Sequence, residues 1–425
     1  MADIQHPPHL TLVRGGKVEI NSYLNLTLAE KLQILHPLSE REKLRLLIED
    51  PRSREVVAAL SPEELYITMS TVGIRDSGEI ITFATPEQLI FFLDQELWHE
   101  GSYNPEQGVE WLSLLLESGD ETIGRLIPQL DTELLLLIIM HEVVVAGGLS
   151  GLENDEARNA PWDHSFDNLF FITFRSATHG PVIGRFLSIL HRQHHDLYLW
   201  LMESGRHEIL SEVEEQAFAF RNGRLSDAGF PSLDDARLIY SFIDPQSFVV
   251  TERKLPISAT VQTLPVILGS DTFLQRILQR VGTPEIEQEL SCLINCALVA
   301  DQVPLNNRTG IETVSQQVAG YLTIALQHLA GSDEEYAGRI VTSEYLQRLF
   351  QLGHSMLIRL RDQSRSLAKQ GVALDHLAEQ VLAGLAADRP RYHLTLDGIG
   401  RDDLRPFADL DDVQRATTFL SQLSP

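Results

Sequence analysis

The chain is short of cysteine. It has two in 425 residues, Cys292 and Cys296, too few for a disulfide framework, so a reducing cytoplasm is the expected setting. Positive charge is scarce as well: lysine and arginine number 34 against 60 aspartates and glutamates, a formal net charge of −26. A field of that sign repels phosphate backbones and anionic lipid, so nucleic acid and membrane surfaces are not expected partners. Long clean apolar runs are missing too. The most apolar stretch, Leu134 to Met140, is extended by Val143, Val144, Val145 and Ala146 but broken by His141 and Glu142, well short of the ~20 residues that span a bilayer. It predicts a buried helix. The opening Met1-Ala2-Asp3-Ile4-Gln5-His6 has neither the basic nor the apolar region of a signal peptide.

Catalytic signatures are also wanting. His141-Glu142 begins like a zinc-protease motif, but Val145 stands where the second imidazole belongs. Gly147-Gly148-Leu149-Ser150-Gly151 lacks the Gly-Lys-Ser/Thr that would make it a phosphate cradle and reads as a hinge. No Gly-x-Ser-x-Gly element occurs. Cys292 and Cys296 lie one helical turn apart with no second pair, which makes them small core residues.

What the chain does have is helix. Hydrophobic residues at 43% and charged residues at 22% describe a folded globular protein, with room for two or three domains. Helix starts recur: Ser39-Glu-Arg-Glu42, Ser61-Pro-Glu-Glu64, Thr85-Pro-Glu-Gln88 and Asn104-Pro-Glu-Gln107 pair a capping residue with Glu or Gln three positions on, and Asp131 opens a plainer one. Apolar residues follow at helical intervals, among them Leu24, Leu28, Leu32 and Leu35; Leu65 and Met69; and Leu89, Phe92, Leu93 and Leu97. The expected fold class is all-α, with an N-terminal α-superhelix of short repeated helices followed by mainly helical middle and C-terminal domains. The expected divisions are an arm at 1–23, the superhelix at 24–147, a linker at 148–168, a middle domain at 169–246, an extended linker at 247–268 and a C-terminal domain at 269–425. Phe170 to Phe174 suggest a short strand. A helix is expected from Ser211 to Asn222 with Gly223 as its C-terminal stop.

Two constellations stand out. His191 and His195 have the i, i+4 spacing that lets two imidazoles on one helix hold one metal ion, with His164, His179 or Glu203 as a third ligand. His194 follows the apolar stripe and is expected to be partly buried. Arg221, Arg224 and Asp227 flank a helix end, where two guanidiniums could receive an anion or simply complement the helix dipole. The acidic residues Asp402, Asp403, Asp409, Asp411 and Asp412 read as a solvated helix surface.

The stretch from Ser211 to Tyr240 (SEVEEQAFAFRNGRLSDAGFPSLDDARLIY) resembles the signature of a bacterial family known only as a domain of unknown function, and Tyr345 to Arg361 is similar to a later segment of it. That family carries no known activity, so the resemblance implies a bacterial origin and little else. Residues 24–146 resemble the helical superhelix of MgtE N-terminal domains and of FliG, through repeated Pro-Glu-Glu-Leu-type starts, without MgtE's membrane helices. The functional expectation is therefore a cytoplasmic helical scaffold or regulatory protein that binds another protein and needs no cofactor. The alternative is an enzyme or a small-ligand or metal-binding protein with its site in the middle domain.

Overall fold

The computed structural model describes residues 13–14, 17–18, 20–99, 101–148, 161–251, 254, 272–370, 375–398 and 403–423. Large parts of the expected arm and of both expected linkers fall outside these residues. The fold is all-α: among the described residues the only sheets are two-stranded. The chain forms two compact units, residues 1–225 and 226–425.

In unit 1 helix follows helix: α1 (Leu28–Leu35), α2 (Glu40–Glu49), α3 (Ser53–Ala59), α4 (Pro62–Val72), α5 (Pro86–Glu96), α6 (Pro105–Glu117), α7 (Asp120–Leu126) and α8 (Thr132–Glu142). Side chains fix where they begin. Ser61 and Asn104 accept the backbone N–H of Glu64 and Gln107 at 3.1 and 3.2 Å. Thr85 and Gln88 cap each other reciprocally, and Pro62, Pro86 and Pro105 each take the first helical position, where a missing N–H costs nothing. Ser39 and Asp131 hold N-cap positions without a side-chain cap bond. Leu65, Met69, Leu89, Phe92, Leu93 and Leu97 are all buried. Charge is buried with them: Lys31 meets Asp50 at 2.5 Å and Lys43 meets Glu64 at 2.7 Å.

The apolar run does form a buried helix, α8, with Leu134 to Ile139 in the core. It ends at Glu142, however. Three β-branched valines follow, and they leave the helix as β1 (Val143–Gly147), antiparallel to β2 (Phe170–Phe174), which lies where a strand was expected. Gly147 and Gly148 have φ of 84° and 92°, and a Cβ on Gly147 would run into the Leu169 carbonyl. Gly147 thus ends the strand in a conformation only glycine adopts readily, and Leu149, Ser150 and Gly151 lie outside the described residues. Then come α9 (Gly180–Gln193), α10 (His195–His207) and α11 (Leu210–Asp227). Gly223 does not stop α11, as the sequence suggested; it sits inside the helix at a cost of about 1 kcal/mol relative to Ala.

Unit 2 contains α12 (Phe273–Val281), α13 (Pro284–Ala300), α14 (Arg308–Ala330), α15 (Glu334–Ser343), α16 (Leu346–Lys369), α17 (His376–Ala386) and α18 (Leu410–Leu423). The long helices α14 and α16 approach closely at Gly353, where a Cβ would strike the Tyr321 carbonyl of α14; on α14 Gly320 lies against the Phe407 carbonyl ahead of α18. Leu322, Ile324, Leu349, Phe350 and Leu352 are completely buried. Residues ahead of α12 are tied to α16: the Ile243 N–H donates to Ser355 at 2.9 Å and Gln351 donates to the Leu238 carbonyl at 3.0 Å. Asp412, expected on a solvated face, is instead buried and accepts both Nη groups of Arg405 at 2.6 and 2.8 Å.

Candidate functional site: an arginine-walled cleft

The structure places the sequence-selected residues in structural roles. Arg224 donates through Nε and Nη2 to the buried Asp94 carboxylate, at 2.8 Å each, and through Nη1 to Asp131 at 2.5 Å. Arg221 donates to the Asp94 carbonyl at 2.6 Å and packs against Trp98 and Phe218. These two guanidiniums clamp α11 to the end of α5 and the start of α8, and all three nitrogens of Arg224 are taken. Asp227 is exposed and takes no part. Asp131 cannot cap α8 because Arg224 holds its carboxylate.

His191 and His195 are not on one helix. The chain breaks at His194 (φ −136°, ψ 56°), which ends α9 and precedes α10. Their rings still meet edge to face at 5.1 Å, within an aromatic group that includes Phe166 and the fully buried Tyr198. The proposed third ligands are engaged elsewhere: His179 with Glu142 at 2.8 Å, Glu203 with Arg206 and His207, and His164 edge to face on Phe166 at 4.2 Å. Among the described residues no three His, Cys, Asp or Glu side chains are placed to hold a metal ion. His194 is half-buried, as expected, and its Nε2 lies 3.0 Å from the Gly124 carbonyl. His141 packs on Tyr103, with Nε2 buried and unpartnered, and burial lowers its pKa. Burial likewise pushes the Cys296 thiol up to about 12, which removes its nucleophilicity.

The feature with the chemistry of a binding site lies in unit 2. A cleft of about 730 Å³ is walled by Arg237, Arg361, Arg389 and Arg391, with Asp301 and Asp388 between them. Asn307, Thr309, Gly310 and Thr313, the cap and first turns of α14, form another side, where the helix dipole is positive. Arg389 is held from behind. Its Nε donates to Asp301 Oδ1 at 2.9 Å and its guanidinium lies on the Tyr240 ring, 3.3 Å from the centroid. Asp301 Oδ2 accepts from the Tyr240 hydroxyl at 2.7 Å and from Gln317 at 3.1 Å. Burial works against the Arg389 charge, but Tyr240 and Asp301 outweigh it and raise its pKa above the usual arginine value. The two Nη groups take no part in the bond to Asp301. Arg391 has no carboxylate partner among the described residues. His354 lies against Tyr240 at 4.9 Å with both ring nitrogens buried and unpartnered. Burial, reinforced by the charges of Arg389 and Arg361, pushes its pKa down to about 3, so it is neutral.

The model of one protein family, described as a family of unknown function (DUF6178), matches residues 21–424. The chain belongs to that family. No curated protein and no solved structure matches it, so the MgtE- and FliG-like resemblance of residues 24–146 rests on its helix starts alone. In this DUF6178 chain one local signal of the cleft stands in the sequence: Asp388-Arg389-Pro390-Arg391 sets two arginines around a proline in a chain poor in bases. Arg237, Asp301 and Arg361 lie up to 154 residues from them, and only folding brings the set together.

Proposed function

We propose that the chain is a binding protein whose unit 2 takes up a small organic anion, bearing phosphate or carboxylate, in the arginine-walled cleft. One observation carries this: in a chain with 26 more acids than bases, four arginines converge on one concavity and Arg391 has no carboxylate partner among the described residues. Guanidiniums are planar forks of donors that match oxyanions, and a cleft of this volume falls in the range of small-molecule sites. Pyrophosphate and citrate, titrated separately into the full chain by NMR, test the reading. Saturable binding of either, weakened at least about tenfold by Arg391→Ala, supports it; no binding of either overturns it.

A second reading keeps the cytoplasmic, partner-binding role expected from the sequence. Trp200 on α10, Ile209 ahead of α11 and Phe220 on α11 are 46, 57 and 50% exposed, and large apolar side chains near one another in the sequence are the material of a protein-binding surface. A purified partner that binds the intact chain and is lost with Phe220→Glu would support this role; retention of binding by Trp200→Glu and Phe220→Glu together would remove it.

A further inference from the structure

We propose that the anion in the cleft is a phosphoryl dianion, carried as a phosphomonoester or a pyrophosphate, rather than a single carboxylate; this rests on the cleft being the binding site. Charge is the first ground. Four arginines face two aspartates, a lining charge of 4 − 2 = +2, which one dianion neutralises and one carboxylate does not.

Those aspartates are not spare acceptors. Asp301 already receives Arg389, Tyr240 and Gln317, and Asp388 is bonded to Arg365, which does not line the cleft. Two of the other arginines have only weak partners outside the cleft. Arg237 has Asp234 at 3.9 Å, itself 96% exposed, and Arg361 has its neighbour Asp362, 61% exposed. Exposed pairs of that kind contribute about 0–1 kcal/mol and yield to a better acceptor.

Acceptor geometry is the second ground. A carboxylate offers two oxygens and one charge, enough for one or two forks, whereas a phosphoryl group offers three oxygens and two charges. Arg389, with Nε fixed on Asp301 and its face on Tyr240, is a preset fork, and a lysine there would keep the charge but lose the shape.

The titration of the ligand supplies a signature. A phosphomonoester gains its second charge near pH 6. Among the described residues the charged lining of the cleft is arginine and aspartate, with no histidine, and His354 behind it stays neutral down to about 3. A change in affinity between pH 5 and 7.5 therefore belongs to the ligand.

Phenyl phosphate and benzoate share a ring and differ in the head group, so the full chain is titrated with each by NMR. At pH 7.5 phenyl phosphate is expected to bind at least about tenfold more tightly than benzoate, and to lose about tenfold by pH 5 while benzoate holds steady. Arg391→Ala, and separately Arg389→Lys, should each weaken phenyl phosphate by at least about tenfold. Benzoate binding as tightly as phenyl phosphate, with both lost in Arg391→Ala, would overturn the phosphoryl assignment and leave the cleft an anion site. Neither probe binding, or binding indifferent to both Arg391→Ala and Arg361→Ala, would overturn the site itself.

Discussion

Unit 1 and unit 2 each gather arginines, and they treat them in opposite ways. Arg221 and Arg224 are sealed: every fork of Arg224 meets Asp94 or Asp131, and Arg221 is spent on a carbonyl and two aromatic faces. Arg389 and Arg391 stand in an open cleft, one bonded to its acid through a single nitrogen and the other without an acid among the described residues. The difference teaches that a basic cluster reveals little until its acids are located. In unit 1 the counter-charges sit on α5 and at the head of α8, more than 90 residues back in the chain; in unit 2 the half-buried Asp301 is already engaged by Arg389, Tyr240 and Gln317.

The contrast can be broken or sharpened by measurement. The largest effect is expected from Arg224→Met, which strips the bidentate partner from a carboxylate only 3% exposed; removing one member of a buried pair should cost about 3–5 kcal/mol in urea unfolding. All four tryptophans precede residue 226, so the loss should be visible in tryptophan emission, and anion binding in unit 2 should survive. A change below about 1 kcal/mol would mean the clamp is not sealed after all.

Next comes pH. His354 is neutral in the fold, with a pKa near 3 against 6.5 when unfolded. The unfolded chain takes up a proton below that value, so this stability is full above pH 6.5 and is lost as pH falls. Between pH 6.5 and 5 unit 2 should weaken by about 2 kcal/mol, at 1.36 kcal/mol per unit. Far-UV circular dichroism melts would follow it, and His354→Leu should flatten the slope.

A smaller effect of opposite sign belongs to unit 1. The bond from His36 to Glu64 raises the histidine's pKa, so its contribution is present at low pH and fades as pH rises through the folded value. With the His36 side chain 53% exposed, His36→Gln should cost less than about 1 kcal/mol at pH 6 and nothing measurable at pH 8.5. The smallest change is expected at Arg391→Ala, within about 0.5 kcal/mol in stability; a large loss there would mean that Arg391 holds the fold and not a ligand.

Much of the fold was legible because caps and periodicity are local. Ser61, Thr85 and Asn104 announce their helices within three residues, and Phe170 to Phe174 announce a strand. The break at His194 was not legible, since the apolar stripe runs through it from Leu190 to Leu197 and only the backbone turn separates α9 from α10. Val143 to Val145 misled for a related reason: apolar character alone does not choose between helix and strand, and the strand wins by pairing with residues 25 or more positions away. The buried ion pairs of Lys31 and Lys43 were invisible, because a charge reads as surface until its partner is known. The cleft was the least legible part, assembled from Arg237, Asp301, Arg361 and the 388–391 turn.

Gly353 and Gly320 give this cleft a mechanical character. The bare backbone of α16 at Gly353 sits on that of α14, and α14 at Gly320 sits on the backbone ahead of α18, so α14 and α16, which carry Thr313 and Arg361, are held in a close-packed frame. A ligand entering such a frame finds its walls already in place, and its affinity is not diminished by the ordering that a flexible receptor must undergo on binding.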